Sequence, residues 1–226
     1  MVRDEVLEYP YMKPIEEDEP IQLFEDDRLE RFAHTPPILA YATWVIVSLG
    51  GIAWTLVLNP RLEMLAPFAI GVAVWTLTEY LMHRFLFHIG SGKTFFRKLS
   101  FVLHGVHHAQ PRVKTRLMMP LAAGIPIALV FLGIFALIAG MLFGATSWVL
   151  PLFSGFMFGY VLYSSMHYAT HALPNVRFVD GIRKYHLMHH GKDYTVRYGI
   201  SSPLWDYVFG THPRYKRNKS NVESES

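Results

Sequence analysis

The chain has 226 residues, of which 51% are hydrophobic and only 17% charged, with mean hydropathy +0.21. A soluble domain averages about 25% charged residues, so an ordinary soluble enzyme and a disordered chain are both excluded. Cysteine is absent, which removes disulfide scaffolds, zinc–thiolate sites, iron–sulfur clusters and cysteine nucleophiles. Twelve histidines remain, and the net charge of +3 conceals an uneven distribution.

Residues 1–35 read as an acidic, solvated arm: residues 1–31 hold eleven Asp and Glu against four Lys and Arg. The acidic start is unlike a secretory signal. From Pro37 to Leu58 the sequence PILAYATWVIVSLGGIAWTLVL carries no charge over 22 residues, enough to cross a hydrocarbon core of about 30 Å. After the turn NPRLE, a second span is expected over 64–83, interrupted only by Glu79. Leu117 to Met166 has no formal charge; it is too long for one helix and divides near Gly144 into spans at 117–143 and 147–168. Residues 172–212 then form a cap and 213–226 a polar tail. The expected fold is an all-α integral membrane domain over 36–226, four transmembrane helices in two hairpins, with a helical cap holding the functional residues. With four spans, both termini and the central loop share one face, which holds 20 of the 21 Lys and Arg. The positive-inside rule makes that face cytoplasmic. The short basic tail RYKRNKS gives no footprint for nucleic acid.

Ten histidines fall in four clusters on that face: His83 and His88; His104, His107 and His108; His167 and His171; His186, His189 and His190. On an α-helix, residues three and four apart lie about 60° and 40° apart in projection. Each HxxHH is therefore expected to aim three rings at one point, and His167 with His171 two. His83 and His88 are five apart, so the second span is expected to stop near Arg84 to Leu86, with His88 reaching back from the turn before Gly90. Ten imidazoles exceed the coordination of one ion and suit two, at about four to six ligands each. Imidazole alone does not select among zinc, copper, iron and nickel. His34 and His212 have no clustered partners and read as ordinary polar histidines. Glu79, one turn before His83, is expected to accept that ring's second N–H, and Asp193 to serve the last cluster in the same way.

The segments HRFLFH (83–88), LHGVHHAQP (103–111), RLMMP (116–120), GYVLYSSMHY (159–168), YHLMHH (185–190) and YGISSPLWDYVFGTH (198–212) resemble the fatty acid hydroxylase superfamily. Within it the sequence is most similar to the fatty acid 2-hydroxylase branch, which acts on the α-carbon of long acyl chains destined for sphingolipids. It departs from the family pattern at Val113 and Ser164, where acidic residues are usual. The resemblance implies a membrane-bound oxygenase using two iron ions, O₂ and electrons from a separate donor of cytochrome b5 or ferredoxin type, because the residues before the first span are too few for the haem domain many members carry. Zinc in purified protein is then expected to be a substitution. The acyl chain is expected to lie beside Phe85, Tyr163, Met166 and Tyr168, in a bacterial inner membrane or the endoplasmic reticulum. Hydroxylases or desaturases of sterols, carotenoids or alkylglycerols, and a non-catalytic metal-binding membrane protein, are the alternatives.

Overall fold

The computed structural model describes residues 1–8, 19–89, 92–174 and 176–213. The tail beyond 213, residues 9–18 of the acidic arm and Gly90 lie outside them. Among the described residues there are helices and one isolated antiparallel bridge, Val2 to Phe24, but no strands.

Four helical segments are long and apolar enough to cross a membrane: Pro37–Leu58, Leu62–Phe87, Lys114–Leu142 and Thr146–Ala172. A short helix α1 (Asp27–Phe32) precedes α2 (Pro37–Leu58), whose second residue-pair proline, Pro37, sits at the first helical position. There its missing N–H costs nothing. After α3 (Leu65–Leu81) the winding does not stop but widens into a π-helix over Met82–Phe87. The cap elements α4 (Thr94–Ser100), a π-helix Phe101–Gly105 and α5 (Val106–Ala109) follow. The third span becomes α-helical only at α6 (Leu121–Phe135), later than the expected residue 117, and continues as a π-helix over Ala136–Leu142. Pro120 accounts for the delay, because it keeps Met119 out of the helical region and leaves 117–120 irregular. Helix α7 (Thr146–Ala172) outruns its expected end at 168, so both of its histidines lie on regular helix. The cap is completed by α8 (Asp180–Gly191) and α9 (Leu204–Val208).

Helix α7 is the hub, packed by α2, α3 and α6. Its core face joins Phe153, Phe156, Met157, Tyr160 and Val161 to Trp44 of α2, Trp75 of α3, and Ala128 and Phe135 of α6. Trp75 meets Phe156 and Tyr160 edge-on, with ring centroids 5.0 and 5.2 Å apart, the geometry aromatic quadrupoles favour. Helices α3 and α7 touch backbone to backbone at Gly71 and Gly155: a methyl on Gly155 would collide with the Phe68 carbonyl, and one on Gly71 with the Leu152 carbonyl.

The acidic arm is not merely solvated, contrary to its composition. Val6, Ile21 and Leu23 are buried against Phe101, Val106 and Ala109 of the cap. Gln110 holds the same segment, accepting from the Ile21 amide at 2.8 Å and donating to the Glu19 carbonyl at 2.6 Å. Alternation of three or four apolar residues among many acids is too sparse for a composition-based reading to register.

Substituting Gly155→Val is expected to force α3 from α7 and destabilise the protein by about 1–3 kcal/mol, read as a lowered thermal midpoint in detergent. Gly133, which has open space around it, should accept alanine with little change.

Candidate metal centre

The ten clustered histidines converge where α3 and α7 meet the cap, in two groups. His83, His88, His104, His108 and His189 form one; His107, His167, His171, His186 and His190 form the other. Within each group the ligand-capable nitrogens all lie within 4.8 Å of one another. Eight of the ten residues are buried, and His88 and His171 are partly so.

Helical winding explains the assignment, and it differs from the sequence expectation in two respects. The span runs to Phe87, one residue past the expected stop, and His88 lies in the turn that follows; the last turn is π-helical, and its i→i+5 bonding widens the winding so that residues five apart return to one face. Nor does either HxxHH serve a single point. In the first, His104 and His108 join one group and His107 the other; in the second, His186 and His190 join one and His189 the other. Each motif thus gives an i,i+4 pair to one group and its middle ring to the neighbour, so the two groups are interlocked. His108 and His190, from different groups, stack with centroids 3.9 Å apart.

Tautomers follow from backbone carbonyls. Nδ1–H of His83 donates to Tyr198 at 2.5 Å, that of His167 to Leu117 at 3.0 Å, and that of His189 to Val196 at 2.7 Å. Their Nε2 lone pairs then point inward. His83 Nε2 is buried with no hydrogen-bond partner. In the second group the Nε2 atoms approach in sequence: His167 to His107 at 2.9 Å, His107 to His190 at 3.1 Å, His190 to His186 at 3.0 Å and His186 to His171 at 3.0 Å. The first group has His104 to His108 at 3.1 Å and His88 to His189 at 3.0 Å. Protons satisfy such a chain only at alternate rings, each shared between two acceptors. One cation per group satisfies every lone pair at once, so the donor set fits metal. Each group offers five such nitrogens, more than the four of a tetrahedral zinc site.

Electrostatics prepare the same state. For the cap residues His88, His104, His107, His186 and His190, burial first and neighbouring imidazoles second hold the pKa well below the usual histidine value. Burial brings His189 to about 4, against the opposing pull of the Val196 carbonyl. The rings are thus neutral at pH 7, the form a metal requires.

The carboxylates act at one remove. Glu79 does not accept from His83. Its Oε1 accepts from the amides of Ile200 and Ser201 at 2.7 and 2.8 Å, and its Oε2 from the Ser201 hydroxyl at 2.5 Å. Asp206 accepts from the amides of Tyr198 and Gly199 at 2.9 and 2.8 Å and from the Thr211 hydroxyl at 2.7 Å. Between them the two buried carboxylates pin the 198–201 loop that presents the Tyr198 carbonyl to His83. Asp193 accepts from the amide and hydroxyl of Thr195, organising the turn after α8, while the carbonyl of Val196 holds His189. The expected carboxylate–histidine contacts are replaced by carbonyls because Tyr198, Val196 and Leu117 lie closer to the rings. Asp206 had no assigned role from the sequence, although it lies in one of the matching segments; its burial and its contacts with the 198–199 amides appear only in the fold.

An apolar cavity descends from the centre between α2, α6 and α7. Rings from both groups (His104, His107 and His167) face its inner end, and Trp44, Phe131 and Met157 line its depth. Tyr163 and Ser164 line it too. Of the four residues expected beside an acyl chain, Tyr163 alone is in the lining; Phe85 is 61% exposed on the outer surface, and Met166 and Tyr168 face elsewhere on α7. His34 joins Glu30, Thr115 and Arg116 in a polar cluster, and His212 stacks on Tyr207 with centroids 4.1 Å apart.

Fold and site together define a multi-pass membrane protein with two interlocked five-histidine groups able to hold metal. The family model for fatty acid hydroxylase matches residues 68–211, and the chain belongs to that family. It is 37% identical over 188 residues to the ceramide very long chain fatty acid hydroxylase scs7 of Schizosaccharomyces pombe, covering 81% of this chain and 52% of that one. It is 32% identical over 206 residues to a dihydroceramide fatty acyl 2-hydroxylase of Arabidopsis thaliana, covering 90% and 85%. The chain therefore spans about half the length of the first relative and most of the second. The solved structure of full-length scs7p, with only the hydroxylase domain visible, superposes with a TM-score of 0.76 at 33% identity, covering 84% of this chain and 71% of that one.

Glu79→Ala frees the 198–201 loop, and metal held by the group containing His83 is expected to weaken about 10–100-fold. Metal retained against a graded chelator, counted per protein, should show one weakened and one unchanged class of ion.

Proposed function

We propose that the protein hydroxylates C2 of long-chain fatty acyl groups, in sphingolipid or other membrane lipid synthesis. The observation that carries this reading is the position of the ten-histidine centre at the inner end of an apolar cavity between spans. The names of the relatives, which include ceramide and dihydroceramide hydroxylases, support it. The alkyl C–H bond is strong and nearly non-acidic, so acid–base side chains alone cannot place oxygen on it. Bound iron supplies O₂ activation and electron transfer, the chemistry that insertion at such a bond requires.

The protein's own part is to hold and to position. The ten imidazoles cannot rearrange without breaking the carbonyl contacts that fix His83, His167 and His189. The apolar walls around Trp44, Phe131 and Met157 take up an acyl tail and keep water from the centre. Electrons come from a separate donor at the cap. The basic surface open to it is Lys93, Arg97, Arg112 and Lys114, all exposed; Lys98 is engaged by Asp4 at 2.6 Å and Arg116 is buried. The charge asymmetry supports a cytoplasmic cap, in either a bacterial inner membrane or the endoplasmic reticulum.

Cells expressing the chain are expected to accumulate 2-hydroxy acyl lipids only in the presence of O₂. His107→Ala and His189→Ala, one from each group, should each reduce that product by about 100-fold or more, as measured by mass spectrometry of hydrolysed lipids. Unchanged acyl chains alongside a modified sterol would overturn the substrate assignment.

A further inference from the structure

Among the described residues, Arg116 is the one Lys or Arg lining the apolar cavity. Its side chain is 2% exposed, and both terminal nitrogens have partners. Nη1 donates to the Ala33 carbonyl at 3.1 Å; Nη2 donates to the Ile21 carbonyl at 2.9 Å and to Glu30 Oε1 at 2.8 Å, with His34 Nε2 2.9 Å away. The third nitrogen, Nε, is buried and its N–H has no partner. Arg116 lines the cavity together with His104, His107 and His167. The carbonyl of the next residue, Leu117, holds His167, so the backbone of Arg116 lies beside the histidine centre.

An apolar slot cannot by itself select C2. Every methylene of an acyl chain presents the same surface, and the chain slides with little change in buried area. Registration needs a polar contact to the one atom that differs, the carbonyl oxygen on C1. We propose that Arg116 Nε–H donates to that oxygen and thereby sets which carbon faces the histidine centre. The proposal rests on the acyl-hydroxylase reading above. Glu30 already balances the guanidinium charge, so an uncharged acceptor for Nε–H, the carbonyl of an amide or ester, suits the site better than a carboxylate, which would add an unbalanced anion.

The test uses the full chain in membranes, an N-acyl amide substrate and mass-spectrometric location of the new hydroxyl. Wild-type protein is expected to give the 2-hydroxy product alone. Arg116→Lys, which keeps the charge beside Glu30 but lacks the Nε–H, should lower total product about 10-fold and yield 3- and 4-hydroxy chains. Gln110→Met, which loosens the same N-terminal segment without touching the guanidinium, should retain the C2 position. An analogue with a methylene in place of the C1 carbonyl should lose selectivity in wild-type protein and lose nothing more in Arg116→Lys. If Arg116→Lys does not fold, the analogue in wild-type protein decides. Undiminished C2 selectivity in Arg116→Lys, or with the carbonyl-free analogue, overturns the anchor while leaving the hydroxylase reading intact. Absence of any hydroxylated acyl product from wild-type protein overturns both.

Discussion

Facing lone pairs are the constraint from which the rest of this structure follows. Neutral imidazole nitrogens approach to 2.9–3.1 Å with three of the rings committed, through their other nitrogen, to backbone carbonyls. Ring protons can satisfy such a chain only in alternation whereas cations would satisfy every lone pair, and either state requires a cap that keeps the rings in place. That demand is met by short backbone contacts rather than by long side chains. Carbonyls of Tyr198, Val196 and Leu117 set the rings, and Glu79 and Asp206 set the loop that carries Tyr198.

The interlocking of the two groups gives the centre its coherence. Each HxxHH contributes to both, so neither group can shift without moving the helix that supplies the other. Packing in the spans serves the same end. Helix α7 brings His167 and His171 to one group while its glycines let α3, which leads to His83 of the other group, approach closely. The N-terminal segment adds a second brace: Arg116 ties Ile21, Glu30 and Ala33 to the residues immediately before α6, one residue from the carbonyl that orients His167.

Much of this was legible in the residues. Uncharged stretches of span length marked four membrane helices, because burying backbone in lipid requires continuous apolar helix. Clusters of histidine at the helix ends marked a metal centre of about ten ligands. Less visible was the N-terminal segment, whose few buried apolar residues, Val6, Ile21 and Leu23, are diluted by acids. The lining of the cavity was also misjudged at Phe85, Met166 and Tyr168, since an aromatic or methionine near a histidine on the chain does not reveal which side of the helix faces the void.

The sequence by itself therefore determined the number of spans, the kind of ligand and the approximate ligand count, all of which depend on composition and local spacing. Only the tertiary structure decided how the rings divide into five and five, because that depends on π-helical winding and on which helix faces which. It also decided that carbonyls, rather than Glu79 and Asp193, orient His83 and His189. Backbone acceptors are present at every residue and carry no signature in the side-chain pattern; their role appears only when distant segments are brought into contact.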